Sequence, residues 1–99
     1  MAYPLIVSPE AEADLTHAHQ WYEQQSAGLV REFLACVEEV FARLQRTPRA
    51  FAEAYRSVRQ TLVRRFPFVV CYTFDGQTIN ILAVFHGHRD PNEWKRRLS

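Results

Sequence analysis

Ser57-Val58-Arg59-Gln60-Thr61-Leu62-Val63, Phe66-Pro67-Phe68-Val69-Val70-Cys71-Tyr72-Thr73-Phe74 and Gln77-Thr78-Ile79-Asn80-Ile81-Leu82-Ala83-Val84-Phe85 decide the fold. All three runs are rich in β-branched and aromatic residues. Arg64-Arg65 separates the first two and Asp75-Gly76 the last two. Runs of this kind predict an antiparallel meander. Asp75-Gly76 between two apolar runs predicts a type I′ turn, which needs positive φ at both central positions. In the second run Phe68, Val70, Tyr72 and Phe74 share one face; Val69, Cys71 and Thr73 share the other. Both faces are mostly apolar, so this is a central strand covered at least partly on two sides. In the third run alternation places Ile79, Ile81, Ala83 and Phe85 on one face. Thr78, Asn80, Leu82, Val84 and His86 take the other. The meander ends in the polar, aromatic stretch His86-Gly87-His88-Arg89-Asp90-Pro91-Asn92-Glu93-Trp94.

Upstream, Tyr3-Pro4-Leu5-Ile6-Val7 is a short β-type run. Pro4 must sit at its start or on an edge, because it cannot donate to a ladder. Ser8-Pro9 predicts a helix start, with serine as N-cap and proline in the first turn. Glu10, Glu12 and Asp14 suit the positive end of that helix. Its apolar face is Ala11, Leu15, Ala18 and Tyr22, with Trp21 beside it. Gln25-Ser26-Ala27-Gly28 breaks the pattern. A second helix is expected from about Leu29 to Arg46, with Val30, Phe33, Val37, Phe41 and Leu44 on one face and Leu34 and Val40 flanking. The short break makes the two helices an antiparallel hairpin. Thr47-Pro48 ends the second helix, since a residue before proline avoids the α region. Residues 48–56 read as a connector. The whole is an α+β, two-layer β-α-α-β-β-β domain over residues 1–99, the helix hairpin on one face of a mainly antiparallel sheet. The sheet's other face then carries apolar surface that something must cover. The segment from Asn92 to Leu98 is a candidate short helix, which at that length forms only if docked.

Ninety-nine residues make one domain, large enough to bury a core without disulfides. No run reaches the roughly 20 apolar residues of a membrane span. The N-terminus has no cationic region followed by an apolar core, so a cytoplasmic location is expected. Cys36 and Cys71 lie inside apolar runs and read as buried free thiols. Net charge is +1, but residues 1–41 hold one basic and seven acidic side chains, and residues 42–99 eleven basic and four acidic. A basic half hints at an anionic partner, nucleic acid or an acidic protein segment.

The His86-Gly87-His88-Arg89 run admits three readings. It can be acid–base chemistry beside an arginine that stabilises phosphate charge, a metal site, or a polar loop shaping a binding surface. The metal reading lacks a third ligand at suitable spacing. His17 and His19 fall on different faces of a helix and read as surface residues. Arg59, Arg64 and Arg65 can contact phosphate or carboxylate, or guard a strand edge. Trp94 before Lys95-Arg96-Arg97 can stack a base, or cap the end of the core. No glycine-rich phosphate loop and no nucleophile triad pattern is present. No cofactor is expected.

Taken together, the order of these pieces resembles the RelE/ParE toxin superfamily of bacterial type II toxin–antitoxin systems. The resemblance spans nearly the whole chain. It rests on the opening strand before Ser8-Pro9-Glu10-Ala11, the Phe33, Leu44 and Pro48 spacing, and Val58-Arg59. It continues through Phe66-Pro67-Phe68-Val69-Val70-Cys71-Tyr72 and Ile79-x-Ile81-Leu82-Ala83-Val84-x-His86, up to His88-Arg89-Asp90-Pro91-x-x-Trp94. The resemblance implies a cognate antitoxin that wraps the toxin in a hetero-oligomer. Trp21, Val69, Cys71, Leu82 and Val84 are candidates to receive it. It also implies a cellular target, with Arg59, Arg64, Arg65, His86, His88, Arg89, Trp94 and Arg96 as candidate contacts. RelE-like relatives cut mRNA on the ribosome; ParE-like relatives poison DNA gyrase. The RelE-like pattern sets lysines on the first meander strand and an arginine on the next. Here those strands offer Arg59, Thr61 and Val69, and the only lysine is Lys95. The ending His88-Arg89-Asp90-Pro91-x-x-Trp94 also looks ParE-like. A ParE-like gyrase poison is therefore the leading expectation. The alternatives are a ribosome-dependent nuclease using His86, His88, Arg89 and Arg59, and a non-toxic protein-binding module.

Overall fold

The computed structural model describes residues 2–87 and 92–98. Its elements run β1 (Leu5–Val7), α1 (Pro9–Gln25), α2 (Ala27–Arg46), β2 (Glu53–Tyr55), β3 (Val58–Leu62), β4 (Phe68–Phe74), β5 (Ile79–His86) and α3 (Asn92–Lys95), with a 3₁₀ turn at Arg96–Leu98. The strands form one sheet in the order β1-β5-β4-β3-β2. β1 pairs parallel to β5, and the remaining pairs are antiparallel. The expected two-layer α+β architecture is present, with β4 and β5 inside the sheet and the helix hairpin on one face.

The start of α1 is the expected cap. Ser8 is extended, and its Oγ accepts from the Ala11 amide at 3.1 Å, with Pro9 opening the helix. The break between helices is shorter than the sequence suggests. Ser26 alone, with extended backbone, ends α1 and starts α2. Ala27 and Gly28 lie in the first turn of α2, where amides lack intrahelical acceptors anyway and glycine costs little. On α2 the buried face is Val30, Phe33, Val37, Val40 and Leu44. Phe41 is only partly buried and Leu34 is exposed.

Three further differences have identifiable causes. The connector at residues 48–56 contains an edge strand, β2, paired with β3 through Glu53↔Arg59 and Tyr55↔Val58. Side chains from the sheet draw it in: the Tyr72 hydroxyl donates to the Pro48 carbonyl at 2.8 Å, and Arg59 donates to the Phe51 carbonyl. The Asp75-Gly76 turn is not type I′, because only Gly76 has positive φ, at 97°. Instead the Asp75 carboxylate accepts the amides of Gln77 and Thr78 at 2.8 and 2.7 Å, so the side chain makes the turn. Those bonds hold its carboxyl below the usual range, the Thr78 amide contributing most.

The third difference concerns faces. Cys71 pairs with Ala83, but Tyr72 pairs with Ile81, which leaves Leu82 as an extra residue. Such a bulge resets the alternation of a strand. Ile79, Ile81 and Val84 accordingly join the core under the helices, with Ala11, Tyr22, Phe33, Leu44 and Tyr72. Ala83 joins a second, smaller core on the opposite face with Val58, Cys71 and Trp94, and Leu82 and Phe85 pack beside it. The C-terminal turn thus covers the face that the sequence left bare. Among the described residues no helix is long and apolar enough to cross a membrane.

Candidate functional site

Helical spacing on α1 sets Asp14, Ala18, Trp21 and Tyr22 along a groove whose opposite wall is Pro67, Phe68, Val84 and His86. Leu29 also lines the groove, which has a volume of about 650 Å³. Four of its lining residues are aromatic, Trp21, Tyr22, Phe68 and Phe85. The Tyr22 ring lies 5.1 Å from Phe33 and 5.2 Å from Phe66, and Trp21 meets it edge-on at 4.9 Å. Burial pushes the Tyr22 phenol up from its ordinary value. His86 stands edge-on to Phe68 at 5.5 Å. Trp21 is the rim residue, 56% exposed. An apolar lining with an exposed tryptophan and polar groups at the wall suits an apolar anchor from another molecule.

At the wall stands Asp14. β1 pairs with β5 only as far as Ile81, so the β5 edge beyond it needs other partners. Asp14 Oδ2 accepts the Val84 amide at 2.9 Å. Arg97 donates to Asp14 Oδ2 and Oδ1 at 2.8 and 3.0 Å, and to the Leu82 carbonyl at 3.0 Å. One carboxylate thereby ties α1, β5 and the C-terminal turn together, and blunts a strand edge that would otherwise invite pairing.

On the far face Trp94 is 4% exposed, stacked near Phe85 and edge-on to Tyr55. Among the described residues its indole N–H has no hydrogen-bond partner, which costs about 1–3 kcal/mol for a buried donor. Beneath it Cys71 is fully buried, and desolvation pushes its thiol up to about 12, with Gln60 Nε2 at 3.3 Å from the sulfur. Lys95 and Arg56 flank the Tyr55 ring at 4.6 and 5.2 Å. Among the described residues no group of three or more His, Cys, Asp or Glu could hold a metal ion.

Residues 5–91 match the family model for the ParE toxin of type II toxin–antitoxin systems. The chain belongs to the ParE toxin family. Toxin ParE2 of Mycobacterium tuberculosis is 31% identical over 100 residues, covering 100% of this chain and 95% of that one. Two solved structures share the fold. A chain of the chromosomal ParDE toxin–antitoxin system from P. aeruginosa superposes with a TM-score of 0.74 at 21% identity, over 86% of this chain and 96% of that one. A chain of the RelBE2 toxin–antitoxin complex from Mycobacterium tuberculosis gives 0.58 at 24%, over 87% and 99%.

In this ParE-family chain the described candidate residues do not form one cluster. Arg59 is mostly buried, bonded to the Phe51 carbonyl and 3.7 Å from Glu53, so it serves the β2 edge. Arg64 and Arg65 are exposed on the β3–β4 turn, each 3.7 Å from a carboxylate of α2, Glu39 and Glu32. Arg65 has φ of 70°. His86 lines the groove, and His88 and Arg89 lie outside the described residues. Arg96 is exposed, whereas Trp94 has turned into the second core and offers no ring to a target in this conformation. Of the antitoxin candidates, Trp21 is open and Val69 and Leu82 are partly so; Cys71 and Val84 are buried, in different cores. Asp14 and Arg97 were missed. The signal for Asp14 was a carboxylate flanked by Ala11, Leu15 and Ala18 on an otherwise apolar stripe.

Proposed function

We propose that this ParE-family toxin arrests growth by poisoning DNA gyrase, and that a cognate antitoxin neutralises it by seating an apolar segment in the α1–β5 groove. The observation that carries the gyrase reading is the engagement of the basic residues on the sheet. Arg59, the arginine on the strand where RelE-like relatives place lysines, is spent on the Phe51 carbonyl and Glu53. Thr61 beside it is buried, and the next strand presents Val69. The only lysine, Lys95, lies over Tyr55 on the far face. Cleavage by a ribose 2′-hydroxyl needs a proton acceptor and a cation converging on one phosphate. Neither strand assembles that pair. The groove reading is supported by Trp21, a large aromatic left exposed beside an apolar cavity.

Induced expression without the antitoxin separates the targets. Gyrase poisoning gives chromosomal DNA breaks and the DNA-damage response with intact mRNA. Cut mRNA with intact DNA would replace this reading by the nuclease. Harmless expression of folded protein would replace it by a binding module.

A further inference from the structure

We propose that the C-terminal turn from Trp94 to Arg97 is a latched cover over the second sheet face, opening while the rest of the protein stays folded, with the Arg97–Asp14 pair as the latch. Four observations carry this. The helical part, α3, is one turn long, too short to persist without tertiary contacts. The core it covers is small and separate: Val58, Cys71 and Ala83 lie on the opposite side of the sheet from the helix-side core. Trp94, the side chain that fills that core, buries an indole N–H that finds no acceptor among the described residues, so its seat there is imperfect. The turn is also pinned from the side, where Arg97 holds both Asp14 oxygens and the Leu82 carbonyl at a partly exposed position. Opening would leave the helix-side core intact, as local unfolding of a weakly coupled unit requires. Asp14 also lines the α1–β5 groove, so the latch is within reach of whatever occupies it.

Cys71 reports the opening, because the cover is what hides it. With Cys36→Ser in place, Cys71 is the single thiol. Its labelling by an aromatic disulfide probe at mildly alkaline pH is followed through low urea concentrations, well before global unfolding. The proposal expects labelling faster than global unfolding allows, nearly independent of urea because little surface is exposed. Arg97→Ala should raise the rate about tenfold, the loss of a charge-assisted contact, and Arg97→Lys less. Val37→Ala, which weakens the helix-side core, should leave the low-urea rate unchanged. Labelling that follows the global unfolding slope in every variant would overturn the proposal. So would an Arg97→Ala variant that labels at low urea no faster than its parent.

Discussion

Arg97 reaches Asp14 across 83 positions of sequence, setting its two terminal nitrogens against the two carboxylate oxygens at 2.8 and 3.0 Å. The same carboxylate holds the Val84 amide, so the contact serves backbone as well as charge. Removing the carboxylate strands a β5 amide and a guanidinium together. Asp14→Ala should cost about 2–3 kcal/mol in urea unfolding, and Arg97→Ala about 1 kcal/mol because that side chain is partly exposed. The double variant should show a coupling of about 1 kcal/mol. Strict additivity would mean that the two act independently.

Tyr72 joins the sheet to the connector. Fully buried, it donates to the Pro48 carbonyl at 2.8 Å. Tyr72→Phe keeps the ring and loses the bond, and should cost about 1–2 kcal/mol. Amide exchange should quicken across β2, which depends on that connector. An unchanged β2 would show that its pairing with β3 is self-sufficient.

Much of this fold is legible in the sequence because local rules and tertiary packing agree there. Ser8-Pro9 caps a helix by its own chemistry, and α2 repeats apolar residues at a helical period. Apart from the Asp75 turn, which its own side chain makes, the misreadings fall where a distant group decides. The bulge at Leu82 leaves no mark in an all-apolar run; with the β1 pairing ending at Ile81, the backbone beyond it is taken up by Ser8, Asp14 and Arg97, all far away in sequence. β2 is too short to show a period, and the side chains that draw it in, Arg59 and Tyr72, lie on other strands. The candidate cations were identified by type alone. A sequence shows that Arg59 is an arginine, not that a carbonyl already holds it.

Arg65 sits in the left-handed region at φ 70°, where a branched side chain clashes with its own backbone. Arg65→Asn should leave stability within about 0.5 kcal/mol, since asparagine tolerates this region and the 3.7 Å contact to Glu32 is exposed. Arg65→Val should cost about 1–2 kcal/mol. Equal effects would place the strain elsewhere in the turn.

Burial raises the Cys71 thiol to about 12 from an ordinary value of 9.0. Between those values the unfolded chain ionises this thiol and the folded chain does not. The unfolded state then binds fewer protons, so stability falls as pH rises through that window and is fully present below it. Cys71→Ala should flatten the alkaline part of the stability profile. Tyr22 and Tyr72, also raised by burial, keep a remaining slope at higher pH. A profile identical to wild type would mean that the thiol is open to solvent.

Trp21 offers the groove's exposed ring. If an antitoxin segment seats there, Trp21→Ala should weaken the complex about 30-fold, the usual loss for an aromatic anchor, while toxicity persists. Full affinity would move the partner to another face.

Gyrase supercoiling of relaxed plasmid by purified enzyme, with this protein added at rising concentration, is the most direct measurement. A ParE-type poison lowers supercoiling in step with dose, accumulates linear DNA, and releases the enzyme when antitoxin is supplied. Supercoiling that continues unchanged at saturating protein, alongside mRNA cut on translating ribosomes, would contradict that reading outright.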